Sequence, residues 1–141
     1  MEYLVGFLLS LATVVFAAVI GLDRERSFYA TVLFVVASYY VLFAVMGASR
    51  RTLMIEIVIA SGFFLFGVIG FKGSLWLVAA ALMGHGIFDF IRPGLIPNPG
   101  VPQWWPGFCM AFDVIFGGWL ALRLLQRRNF PHSGPMGRHA G

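Results

Sequence analysis

Four side chains that can do chemistry occur as two matched pairs in the latter part of an otherwise apolar sequence. His85 and Asp89 are four residues apart in "GHGIFDF", and Cys109 and Asp113 are four residues apart in "FCMAFD". Residues at this spacing share one face of a helix. An imidazole beside carboxylates can bind a divalent transition metal such as zinc, manganese or iron, or it can exchange protons as a general acid and base.

The composition around these pairs is typical of a membrane protein. Of the 141 residues, 60% are hydrophobic and 11% are charged, whereas charged residues make up about 25% of a soluble protein. A membrane-spanning helix needs about 20 apolar residues, and five runs approach this length: 3–22, 28–48, 53–71, 74–91 and 104–125. We therefore predict an all-α integral membrane domain of five transmembrane helices over residues 1–126, followed by a disordered cytoplasmic tail over residues 127–141.

The basic residues predict the orientation of these helices, because Lys and Arg are enriched on the cytoplasmic side of a membrane. With the N-terminus outside and the C-terminus inside (N-out/C-in), the inner side holds Arg24, Arg26, Lys72, Arg123, Arg127, Arg128 and Arg138, and the outer side holds Arg50, Arg51 and Arg92. We predict a multipass protein of the bacterial inner (plasma) membrane that contacts lipids. Nucleic acid is not an expected partner, since no basic surface interleaved with aromatic residues is evident.

This orientation brings ionisable residues from three helices to one layer in the outer half of the membrane. Glu56 lies about one turn below the surface on the third helix, and His85 and Asp89 lie one to two turns deep on the fourth. On the fifth helix, Cys109 is about 7 Å deep and Asp113 about 13 Å deep. Because ionisable residues inside a membrane are costly and usually functional, we predict an outward-facing polar pocket built from these five residues.

Several roles remain open within this pocket. The expected metal ligands are His85, Asp89, Asp113 and Glu56, and the expected catalytic residues are His85, Asp89, Cys109 and Asp113. His85 is either a ligand or a general base, and Cys109 is either a nucleophile activated by His85 or a small apolar residue. Without a metal, the same groups form an acid–base or ligand site, or they join helices by hydrogen bonds.

The segment "RPGLIPNPGVPQWWPG" between the fourth and fifth helices holds five of the seven prolines. Proline fixes the backbone angle φ and removes a hydrogen-bond donor, so this segment is expected to form a stiff, shaped cap over the pocket. Trp104 and Trp105 are expected at the membrane interface. They act there either as anchors or, together with Arg92, as a lid or a wall for a substrate.

The remaining charged residues have simple structural interpretations. Arg92 lies three residues after Asp89, a spacing that allows a surface ion pair, and Glu56 can pair with Arg50 or Arg51. The sequence "DRER" between the first two helices is expected to form a solvated cytoplasmic turn, with lipid headgroup binding as the alternative.

The motif Gly-His-x-x-x-Asp, followed by Phe-Cys-x-x-x-Asp on the next helix, resembles a pattern in uncharacterised small bacterial multipass membrane proteins. The resemblance covers about the last third of the chain. It implies a recurrent polar site at His85, Asp89, Cys109 and Asp113, and it implies no particular activity.

Three functions fit these observations. The leading hypothesis is a small membrane enzyme, with or without a metal, that acts on a lipid or small amphipathic substrate, with water as the attacking group. The second is a proton, ion or small-molecule transporter or channel subunit, which requires a polar path to the cytoplasm or a pore lined by a homo-oligomer. The third is a structural subunit of a membrane complex, in which the polar residues only bond helices together.

Overall fold

Five long helices make up nearly all of the computed structural model, which describes residues 1–129. They are α1 (Glu2–Ile20), α2 (Arg26–Gly47), α3 (Arg50–Lys72), α4 (Leu75–Ile91) and α5 (Trp105–Asn129). Residues 1–129 contain no strand. Each helix is long and apolar enough to cross a membrane, α4 when it is counted with the short 3₁₀ turn that extends it to Gly94. The prediction of an all-α chain with five such helices is therefore confirmed.

The helix boundaries differ from the predicted ones by a few residues. The largest difference is at the end of α5, which continues to Asn129. Residues 127–129, predicted as the start of the tail, are therefore helical, and the rest of the predicted tail lies outside the described residues. Ser49 and Ser74 cap the next helices because their side chains accept hydrogen bonds from the backbone N–H groups of Thr52 and Trp76, at 3.1 and 3.3 Å.

Short turns make successive helices antiparallel, and α4 lies at the centre of the bundle. Its most extensive contact is with α5, and it also packs against α3 and α2. The helix α1 packs along α5 and has scarcely any contact with α2. One end of the bundle carries the segment 92–104 that joins α4 to α5; we call it the loop end. The opposite end carries the turns 21–25 and 73–74 and is called the turn end.

An apolar cluster fills the bundle between the turn end and its middle. Its most buried members, all at most 2% exposed, are Tyr29, Leu33, Val78, Leu82, Phe116 and Leu120. They come from α2, α4 and α5, which are therefore in close contact over this half of their length. Buried apolar side chains pack at crystal-like density, so this cluster closes the interior of the bundle between the turn end and the middle.

The prediction that the "DRER" segment forms a solvated turn is wrong for Asp23, whereas Arg24, Glu25 and Arg26 are exposed. Asp23 is buried and forms an ion pair with Arg123 of α5. The Arg26 guanidinium donates hydrogen bonds to the backbone oxygens of Phe71 and Gly73 at 2.8 and 2.9 Å. These carbonyls end α3 and have no helical partner, so Arg26 caps α3 while Asp23 fastens the turn to α5.

Close contact between α4 and α5 depends on glycine at particular positions. A Cβ atom at Gly117 would lie 2.8 Å from Cγ of Met83 and 3.0 Å from the backbone oxygen of Ala79. At the adjacent Gly118, a Cβ atom would meet no heavy atom of residues 1–129 within 4 Å. Only the first glycine is therefore required for packing.

We expect Gly117→Ala to be less stable than Gly118→Ala by about 1–3 kcal/mol, because the added methyl group overpacks the α4–α5 contact. Both substitutions change helix propensity equally, so each is the control of the other. The free energy of unfolding in detergent micelles measures the difference. Equal stability of the two variants would contradict this account of the helix contact.

Candidate metal centre

His85, Asp89 and Asp113 meet at one point between α4 and α5. Nδ1 of His85 lies 2.7 Å from Oδ2 of Asp113 and 3.4 Å from Oδ2 of Asp89. One ligand atom from each residue lies within 4.8 Å of the other two. The three residues are at most 2% exposed. The structure therefore brings together three of the residues that the sequence selected, in a geometry that can hold a metal ion.

Local sequence explains how this contact forms. His85 and Asp89 occupy successive turns on the same face of α4, and Asp113 faces them from α5. Gly86 makes the approach possible: a Cβ atom there would lie 3.0 Å from Cβ of Asp113 and 3.1 Å from the backbone oxygen of Met110. Gly84, on the other side of the histidine, faces open space, with no heavy atom of residues 1–129 within 4 Å of an added Cβ. The second glycine of "GHG" therefore positions Asp113.

One carboxylate oxygen at this point has no protein partner. Oδ1 of Asp113 is buried without a hydrogen bond from any residue in 1–129. Such an atom carries a large desolvation cost. A cation that binds it would remove this cost, so the oxygen is suited to metal coordination.

Two further polar groups approach the Asp89 carboxylate. The thiol of Cys109 faces it from α5, as the sequence predicted, and the hydroxyl of Tyr40 faces it from α2. Tyr40 is 4% exposed. Tyr40 was not predicted, because a tyrosine pair in an apolar run is typical of interface anchors. Tyr40 lies seven residues after Leu33 and four residues before Ala44, so all three share the buried face of α2. This helical spacing is the signal that identifies Tyr40.

Glu56 does not join the metal-ligand group. Its carboxylate forms an ion pair with Arg92 and accepts a hydrogen bond of 3.0 Å from Nδ2 of Asn98. Both members of the ion pair are 2% exposed. The predicted pairing of Glu56 with Arg50 or Arg51 is therefore wrong, and so is the predicted surface ion pair between Arg92 and Asp89.

Arg92 connects this ion pair to the rest of the site. Its guanidinium lies over the ring of Tyr40, 3.8 Å from the ring centroid. Tyr40 in turn faces Asp89, so the ion pair forms a second layer on the loop-end side of the three clustered residues. On its other side, Arg92 lines a cavity of about 250 Å³ together with Asn98, Gln103 and prolines of the loop. Arg92 was predicted as part of a lid, and it forms the inner wall of this cavity.

The loop is fastened to the bundle, as expected for a cap. Oγ1 of Thr52 donates a hydrogen bond of 3.1 Å to the backbone oxygen of Pro97, and Nδ2 of Asn98 reaches the backbone oxygen of Tyr40 at 3.3 Å. Trp105 packs against aromatic rings of α2, whereas Trp104 is 52% exposed. The tryptophan pair therefore has one packed and one exposed member.

Comparison of the chain with protein-family models, with curated proteins and with solved structures finds no match. Its function is therefore argued from the geometry of the residues.

We expect Arg92→Met to destabilise the protein by about 3–5 kcal/mol, because it leaves the Glu56 carboxylate buried without its cation. The double variant Glu56→Gln, Arg92→Met should recover most of this loss. Arg51→Met is the matched control: Arg51 is exposed on the same end of the bundle, and its replacement should change stability by less than about 0.5 kcal/mol. Free energies of unfolding in micelles provide the measurement, and a double variant no more stable than Arg92→Met would refute the pairing.

Proposed function

We propose that this chain is a multipass membrane protein whose activity depends on a divalent metal bound by His85, Asp89 and Asp113. The observation that carries the proposal is the convergence of one ligand atom from each of these three buried side chains within 4.8 Å, with Oδ1 of Asp113 lacking a hydrogen-bond partner in residues 1–129. One imidazole and two carboxylates suit zinc, manganese or iron. Three protein ligands also leave coordination positions for water or a substrate, as in catalytic zinc sites.

A membrane enzyme that acts on a lipid or small amphipathic substrate is the activity that this arrangement favours. A metal in such a site supplies Lewis acidity toward a carbonyl or phosphoryl oxygen. Within the chain, His85 and the two aspartates hold the ion, while Tyr40 and Cys109 border Asp89. Arg92, which is paired with Glu56, lies over the ring of Tyr40 and thereby orients this tyrosine.

The apolar cluster argues against transport across the bundle. Between the metal centre and the turn end, the interior consists of side chains such as Leu82, Phe116 and Leu120, each at most 1% exposed. A transported ion needs polar groups along its path. The ionisable residues of the site are instead connected toward the loop end, through Tyr40 and Arg92. Ionisable groups that extend toward only one end of the bundle fit an enzyme better than a channel.

We further propose that the loop end faces outward, with the N-terminus outside. Arg92 and Arg123 are held in ion pairs, so neither is counted as a loop charge. The remaining described basic residues at the turn end are Arg24, Arg26, Lys72, Arg127 and Arg128, against Arg50 and Arg51 at the loop end. Five against two favours the turn end as the cytoplasmic side.

Metal content is the direct test of the proposed centre. We expect roughly one zinc, manganese or iron ion per chain after reconstitution, as in other single-ion sites, and loss of this ion in His85→Ala and in Asp113→Asn. The chain is studied with His132→Ala and His139→Ala, so that every ion counted depends on the one remaining histidine. Elemental mass spectrometry gives the stoichiometry, and size-exclusion chromatography checks folding.

Glu25→Gln provides the matched control for the carboxylate, because Glu25 is exposed at the turn end, and it should retain the ion. A folded parent protein that binds none of the three metals would end the metal proposal. The clustered residues would then be an acid–base site or a structural bond between α4 and α5.

Cysteine labelling tests the orientation. In a Cys109→Ala background, we expect a membrane-impermeant maleimide added to spheroplasts to label Arg51→Cys. It should label Lys72→Cys only after the membrane is permeabilised, since Lys72 is exposed at the turn end. The reverse pattern would establish that the loop end faces the cytoplasm.

A further inference from the structure

A groove of about 330 Å³ runs along the bundle between α1, α2 and α5. Phe108, Cys109 and Phe112 of α5 form its floor, and the sides come from Leu9 of α1 and from α2 residues. The groove exists because α1 packs against α5, whereas α2 has scarcely any backbone contact with either helix and meets α5 through aromatic side chains. Val35, on one edge, is 46% exposed, so the groove is open to the surroundings along its length.

The chemistry of the lining changes from one end of the groove to the other. Its residues are Leu9, Phe28, Thr31, Val32, Val35, Val36, Tyr39, Trp105, Phe108, Cys109 and Phe112, and none carries a charge. The rings of Tyr39 and Trp105 lie 4.9 Å apart at the loop end of the groove. The groove is therefore apolar along its length, with a tyrosine ring and a tryptophan ring at its loop end.

We propose that this groove binds one acyl chain of a membrane lipid, with the headgroup toward the loop end. On α2 the lining extends from Phe28 to Tyr39, a rise of about 16 Å at 1.5 Å per residue, which suits an extended hydrocarbon chain. The volume lies within the range of about 300–1,000 Å³ that ligand sites occupy. Tryptophan and tyrosine prefer the level of lipid headgroups, and Tyr39 and Trp105 lie together at the loop end of the groove.

The groove adjoins the metal centre, and Cys109 lies between the two. Cys109 forms part of its floor and, from the same side chain, faces the Asp89 carboxylate. A bound chain therefore lies one side chain away from the three clustered residues. The inference rests on the proposed function only where it names acyl lipids as the substrate class; binding of the chain does not require the metal.

Photocrosslinking in nanodiscs tests the groove. The probe is phosphatidylcholine with a diazirine in the middle of one acyl chain, mixed as a minor component with ordinary phosphatidylcholine. Mass spectrometry of the wild-type protein should locate the label mainly at Val35, Phe108 and Phe112. Val35→Trp should lower labelling of the two phenylalanines by about tenfold, because an indole in the groove displaces the chain.

Val58→Trp is the matched control, since Val58 is 69% exposed on α3, away from the groove, and it should leave the labelling unchanged. Thr31→Phe, further along the same groove, provides a second blocking variant if Val35→Trp does not fold. Labelling spread evenly over all lipid-facing helices, or unchanged by both blocking variants, would overturn the proposal.

Metal analysis of the same samples separates this inference from the proposed function. Val35→Trp should keep its metal while it loses the lipid. Localised labelling of a protein that binds no metal would support the groove and refute the metal centre. A metal-bound protein with evenly spread labelling would refute the groove alone.

Discussion

The contact between His85 on α4 and Asp113 on α5, at 2.7 Å, is the interaction on which the rest of the bundle depends. An unpaired ionised side chain at the centre of a membrane helix costs about 2.5–3.5 kcal/mol, so polar groups at this depth must find partners on neighbouring helices. Apolar contacts between two helices can form in several registers of similar energy, whereas the hydrogen bond between His85 and Asp113 can form in only one register of α4 against α5. Gly86 lets the two backbones approach closely enough for it to form.

Two ion pairs fix the ends of the bundle in the same way. Asp23 and Arg123 join the first turn to α5, and Glu56 and Arg92 join α3 to the end of α4. Each pair links elements that are distant in sequence, so together they define which helices are neighbours. Because Arg92 also lies against Tyr40, the pair near the loop end holds a group that borders the cluster of His85, Asp89 and Asp113, and stability and site geometry are coupled there.

The apolar runs and the spacing of polar residues were sufficient to predict five helices and the approach of His85 and Asp89 to Asp113, because helical periodicity is a local property. The partner of Glu56 could not be predicted from helical periodicity. Arg92 is 36 positions away, and the local alternatives Arg50 and Arg51 were equally plausible until the packing of α3 against α4 was known. Tyr40 was missed for a similar reason, since its role depends on which face of α2 turns toward α4.

The position of α1 has a consequence for the order in which the chain can assemble. Its packing partner among the long helices is α5, which is synthesised more than 80 residues later. The contacts of α1 with α5 therefore cannot form until α2, α3 and α4 have been made. Contacts between segments so far apart in sequence are slow to form. Because α5 also carries Asp113, the cluster of ionisable residues and the packing of α1 both depend on the synthesis of the same helix.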